Sequence, residues 1–130
     1  MEFIICLDDK NGMLFNNRRQ SRDKAVCEDV IKSLDGKKLR VLPFSEQLFS
    51  DFSENVSVVS EIGDEGTYFI ENIDIRQYSD VAEKITVYYW NRIYPSDLSC
   101  SIDFSKLSVV SQTEFQGNSH DKITKTVYGR

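Results

Sequence analysis

Histidine occurs once in this sequence, at His120, and that scarcity excludes more than any motif does. Zinc and di-metal hydrolases draw on sets of imidazole ligands, and some ribonucleases on paired imidazoles as acid and base. A lone histidine supplies neither, so any catalysis is expected to run on carboxylates, Cys, Lys or Tyr. Cysteine is sparse too: Cys6, Cys27 and Cys100 are odd in number, far apart and without a CxxC spacing. Such a set points to buried free thiols, with neither a disulfide framework nor a metal site. No run approaches the roughly 18 apolar residues of a membrane span, and MEFIICLDDK lacks the basic flank and cleavage site of a signal peptide. The expected location is the cytoplasm, with no membrane association. Positive charge is also short: 16 Lys and Arg face 21 Asp and Glu, a net charge of -5. Nucleic acid is therefore not an expected partner, since general binders use a cationic excess to displace counterions from phosphate.

What is present suits one compact domain: 130 residues, 40% hydrophobic and 28% charged, without repeat or linker. Glu2 to Leu7 (EFIICL) is short and almost wholly apolar, the pattern of a strand covered on both faces in an α/β sheet. From Arg22 to Leu34 the apolar residues Val26, Cys27, Val30, Ile31 and Leu34 recur at helical spacing, with Ser21 as the expected cap and Gly36 beyond the end. Strands are expected at Lys38 to Leu42, Val56 to Ser60, Thr67 to Ile70 and Lys84 to Arg92, with short helical turns after Ser45 and around Arg76 to Ala82. Lys106 to Phe115 and Asp121 to Tyr128 alternate apolar and polar residues around Gln116-Gly117-Asn118, as an antiparallel hairpin does. These elements predict an α/β fold, a mainly parallel sheet flanked by helices with an antiparallel C-terminal hairpin.

Between the first strand and the first helix runs LDDKNGMLFNNRRQSRDK, which reads like the polar loop that opens an active site. Its Arg18, Arg19, Arg22 and Lys24 form a basic cluster, a candidate anion-binding face.

At this point the residues resemble a family. KITVYYWNRIYPSD leading to DFSKLSVVSQTEFQGNSHDKITKTVYGR resembles the last third of dihydrofolate reductase, and FIICLDDKNGMLFNNRR its first strand and mobile loop. The resemblance implies a shortened dihydrofolate reductase fold over residues 1–130. It also implies a carboxylate on the first helix, and that place falls on Cys27. A thiol cannot make the paired hydrogen bonds that a carboxylate offers a pterin. The adjacent Glu28 is turned by about 100° from the apolar stripe.

Other signatures of that family are replaced. Its phosphate-holding "G-R-x-T" turn is Pro43, Phe44, Ser45 and Glu46 here, and its Gly-Gly pair is Glu71 and Asn72. A strand–helix unit of roughly 30 residues is missing between Ser60 and Gly66. The resemblance therefore implies a degenerate member with no bound cofactor and a binding or interaction role, its partner a small ligand or a protein. Were NADPH-dependent reduction retained with other groups, the candidates are Asp8 and Asp9 at the end of the first strand, Cys27, Glu28 and Tyr88. Asp8 and Asp9, adjacent in extended chain, are expected to point apart. RNA processing is a third reading, motivated by the basic cluster. A Cys27–His120 thiolate pair is not expected, because the topology separates helix and hairpin.

Overall fold

Glu2–Leu7 forms strand β1 with parallel neighbours on both sides. A central strand needs apolar residues of both parities, and β1 has them. Phe3, Ile5 and Leu7 face one core layer and Ile4 the other. The structure, a computed structural model, describes all residues from Met1 to Arg130.

The remaining strands are β2 (Gly12–Phe15), β3 (Arg18–Arg19), β4 (Leu39–Val41), β5 (Val56–Val58), β6 (Thr67–Phe69), β7 (Lys84–Tyr89), β8 (Leu98–Ser99), β9 (Ser108–Phe115) and β10 (Ile123–Gly129). The main sheet has seven strands in the order β5-β4-β6-β1-β7-β10-β9. Its first five strands pair in parallel, and β10 pairs antiparallel with β7 and β9. The expected mainly parallel sheet with an antiparallel C-terminal hairpin is the observed one.

One α-helix, α1 (Lys24–Ser33), covers a face of the sheet and buries Val26, Cys27 and Val30 against Ile4, Val41, Phe69 and Tyr88. Each fully buried side chain of that size stabilises the layer by roughly 1.5–3 kcal/mol. The opposite face packs under Ile75, Cys100 and Ile102. The helical turns expected after Ser45 and around Arg76 to Ala82 are 3-10 segments at Gln47–Asn55 and Ile75–Tyr78, and a further one precedes them at Pro43–Ser45. No helix is long and apolar enough to cross a membrane.

Three expectations need correction. The cap of α1 is Asp23, whose carboxylate accepts from the Ala25 N–H; Ser21 lies outside the helix and makes other bonds. Ser45, after which a helical turn is expected, itself ends the first 3-10 segment and donates its hydroxyl to Glu71. The polar loop after β1 is not irregular: β2 and β3 form a hairpin that joins β8 in a second, three-stranded sheet. Asn16 and Asn17 turn that hairpin with φ of 52° and 57°, the left-handed pair that a two-residue turn between twisted strands requires.

From edge strand β5 the chain reaches β6 through residues 59–66 without helix or strand. A three-residue strand therefore closes the sheet on this side.

Candidate functional site

The crossover from β1 runs through α1 to β4 on one side, and the crossover from β6 returns to β7 on the other. A reversal of this kind opens a crevice at the carboxyl ends of the strands, where open α/β sheets bind ligands. Three polar residues stand at these ends: Asp8 after β1, Ser45 beyond β4 and Glu71 after β6.

Glu71 occupies the crevice. Its side chain is only 8% exposed, and Arg19 grips it with two parallel bonds, Nε to Oε1 at 2.8 Å and Nη2 to Oε2 at 2.9 Å. Ser45 Oγ donates to Oε2 at 2.6 Å. The guanidinium also lies over the Phe44 ring, 5.5 Å from its centre. Planar two-point pairing is the strong form of the carboxylate–arginine bond, and the hydrogen bond to Glu71 raises the pKa of Arg19 further. Of the expected anion-binding cluster, Arg19 is thus neutralised from within, while Arg18, Arg22 and Lys24 remain exposed.

Asp8 organises the adjoining loop. It is buried, and its carboxylate accepts from the backbone N–H groups of Lys10, Gly12 and Tyr94 and from Gln20 Nε2. Burial alone would raise its pKa; these four donors outweigh burial and lower it. Asp9 is exposed, so the two carboxylates do point apart. Gly12 has no room for a side chain, since a Cβ there would lie 2.6 Å from Gln20 Nε2.

The other candidates sit as follows. Cys27 is buried on the inner face of α1 and Glu28 is exposed on the outer one. Burial, then the Glu71 carboxylate, pushes the Cys27 thiol up to about 11, and the same two causes raise Cys6. Thiols so shifted are poor nucleophiles at neutral pH. The cleft that Cys27 lines, of about 230 Å³, is bounded by Arg22, Asp23, Lys24 and the Gln47–Phe52 stretch, and neither Asp8 nor Tyr88 reaches it. Tyr88 is fully buried and donates to Asp29 Oδ2 at 2.7 Å, where Lys125 Nζ also binds at 2.8 Å. Burial and that hydrogen bond raise its pKa.

One constellation escaped the sequence reading. His120 is buried and stacked on Trp90 at 4.7 Å between ring centres. Its Nδ1 lies 2.8 Å from Asp23 Oδ2, and its Nε2 lies 2.9 Å from Ser21 Oγ and 3.2 Å from the Tyr94 hydroxyl. Asp23 further accepts from the N–H groups of Ala25, Asn118 and Ser119. Burial opposes ionisation of Asp23, and these bonds together with His120 overcome it and hold the carboxyl far below its ordinary range. His120 makes no bond to Cys27; its ring nitrogens are engaged elsewhere. The available signal was Asp23 itself, a cap residue as good as Ser21 and two positions closer to the helical stripe.

No family model and no curated protein sequence matches this chain. Among solved structures it resembles dihydrofolate reductase from Enterococcus faecalis complexed with NADP(H) and RAB-propyl, with a TM-score of 0.71 and 9% identity. The match covers 100% of this chain and 96% of that one. The chain therefore has a dihydrofolate reductase-like fold, in a sequence far diverged from that enzyme.

Proposed function

We propose that this chain is a reductase-fold domain that does not use NADPH and acts by engaging a small ligand or a protein partner. One observation carries the reading: the Glu71 side chain lies in the crevice at the carboxyl ends of β1, β4 and β6, held by Arg19 and Ser45. By resemblance, residues 71 and 72 replace the glycine pair that lets a reductase backbone approach its cofactor. A dinucleotide entering here meets a carboxylate, and the nearby arginine is already paired. Displacing Arg19 would leave a buried carboxylate unpaired, at a cost of about 3 kcal/mol since Arg19 is itself 24% exposed. That is about two decades of affinity. Pro43, with no N–H to offer a phosphate, adds to the case.

Reduction with re-recruited groups is less well supported. Asp8 is saturated by four donors, Tyr88 is bonded to Asp29, and Glu28 faces away from the core. RNA processing rested on the basic cluster, whose Arg19 is bound to Glu71. Three unpaired cysteines suit a reducing compartment such as the cytoplasm.

Calorimetric titration with NADPH, dihydrofolate and simple nucleotides tests the reading. No heat of binding is expected from NADPH at up to about 1 mM. Saturable binding at micromolar concentration, with oxidation of NADPH on adding dihydrofolate, would overturn it.

A further inference from the structure

Ser21, His120 and Asp23 are separated by up to 99 positions in the chain yet meet in one hydrogen-bonded line. Asp23, ionised and covered, can only accept, so the proton on the facing imidazole edge belongs to Nδ1. In the neutral imidazole, the Nε2 lone pair then faces Ser21 Oγ at 2.9 Å. The Tyr94 hydroxyl donates to Ser21 Oγ at 3.4 Å, and Trp90 fixes the imidazole plane from one face. A nucleophile, a base in the productive tautomer and a carboxylate that orients the base are the parts of an acyl-transfer centre, recognised by geometry rather than by chain order.

We propose that Ser21 is the nucleophile of a hydrolytic site for small carboxylic esters, with His120 as general base, Asp23 as the positioning carboxylate and Tyr94 as a donor to the developing oxyanion. The Ser21 oxygen adds to the ester carbonyl carbon as its proton passes to His120 Nε2. The tetrahedral alkoxide is met by the Tyr94 hydroxyl. Collapse breaks the ester C–O bond, and His120 returns the proton to the departing alkoxide, which leaves as an alcohol. Water, deprotonated by the same nitrogen, then attacks the acyl group on Ser21. A carboxylic acid leaves and the Ser21 hydroxyl is restored.

Three features distinguish this arrangement from a purely structural latch. Asp23 alone meets the demands of architecture: it caps α1 and holds the N–H groups of Asn118 and Ser119, so a hydroxyl at position 21 is not needed for either task. Ser21 is partly exposed, whereas Asp23 and His120 are covered. A cleft of about 580 Å³ is lined by Gln20, which precedes Ser21 in the chain, and by Tyr94, whose hydroxyl bonds Ser21 Oγ; it is the side from which the proposed ester would approach. Ser21, His120 and Asp23 share no hydrogen bond with Glu71, although Arg19 lines the same cleft, and ester hydrolysis is read separately from NADPH binding.

The test is labelling of the whole chain with a fluorophosphonate probe, location of the adduct by peptide mass spectrometry, and hydrolysis of p-nitrophenyl acetate and butyrate. The adduct is expected on Ser21, absent from Ser21→Ala and much reduced in His120→Gln. Ester turnover is expected to fall at least about 100-fold in Ser21→Ala, with an unchanged melting temperature because the Asp23 contacts persist. No adduct, an adduct on another serine such as Ser119, or hydrolysis by Ser21→Ala at the rate of the unaltered chain would each overturn the proposal. Should His120→Gln fail to fold, the comparison with Ser21→Ala still decides.

Discussion

Two buried carboxylates, Asp23 and Asp8, hold the segments around β1 and α1 together, each by gathering backbone N–H donors from distant positions. Replacing Asp23 with Asn keeps the shape and turns half of the acceptor into a donor facing donors. Asp23→Asn is expected to keep the cap yet lower stability by about 2–4 kcal/mol, from the donors on Ser119 and His120 left facing an amide N–H, read by urea unfolding. The sign of the pH dependence follows from the lowered pKa values of both residues. A carboxylate whose pKa falls on folding stabilises fully above its unfolded value of about 3.9 and loses that contribution as pH drops toward the folded value. Melting temperature should therefore fall below about pH 4, and less steeply in Asp23→Asn, where one such group is gone. Arg19 and Glu71 form the second residue-scale test. Arg19→Ala, by leaving a buried carboxylate unpaired, should destabilise by roughly 2–4 kcal/mol. Glu71→Leu added to it should recover much of that loss, a coupling measurable by a double-mutant cycle.

Among the elements, the β2–β3 hairpin sets the position of Arg19, and its turn depends on two asparagines with positive φ. Asn17→Ala should cost about 1 kcal/mol in thermal unfolding, while Asn17→Gly should be within about 0.5 kcal/mol of the unaltered chain. The turn of the β9–β10 hairpin is tied as closely to α1: a Cβ at Gly117 would lie 2.5 Å from Asp23 Oδ2 and 3.1 Å from the His120 carbonyl oxygen. Gly117→Ala must push that turn off Asp23, so it is expected to lower the melting temperature and loosen the Ser21–His120 contact together. These elements also explain what could be read in advance. β1 was legible to the residue because an apolar run bounded by Asp8, Asp9 and Asn11-Gly12 has one satisfactory place, the middle of a sheet. β9 and β10 were legible because two long β-prone runs flank the Gln116-Gly117-Asn118 turn, although β9 itself buries no face. β2 and β3 were not, since four-residue and two-residue strands carry too little periodicity and only the Asn16-Asn17 pair marks their turn. The Arg19–Glu71 grip and the Ser21–His120–Asp23 line join residues 52 to 99 positions apart, and no local pattern encodes such meetings. Their components were visible singly: Arg19 as a candidate anion binder, Glu71 as an intrusion at a glycine position.

At the scale of the whole molecule, a seven-stranded sheet of reductase-like fold carries a buried, paired carboxylate, Glu71, just beyond the carboxyl end of β6. The fold persists because its core layers depend on apolar residues of β1, β6, β7 and α1, none of which needs a cofactor. Under the proposed reading, the places that the resemblance assigns to a reductase's chemistry are taken here by Cys27 on α1 and by Pro43, Glu71 and Asn72 near the strand ends. Restoring one of them should not restore the rest. The most direct test is turnover of NADPH and dihydrofolate by Cys27→Asp, which returns a carboxylate to the place the resemblance assigns to the proton donor. The variant is expected to leave NADPH absorbance unchanged beyond its rate without enzyme, because Glu71 and Arg19 still occupy the crevice. Dihydrofolate-dependent oxidation of NADPH by Cys27→Asp would mean that the cofactor site survives and that the Glu71–Arg19 pair does not close it.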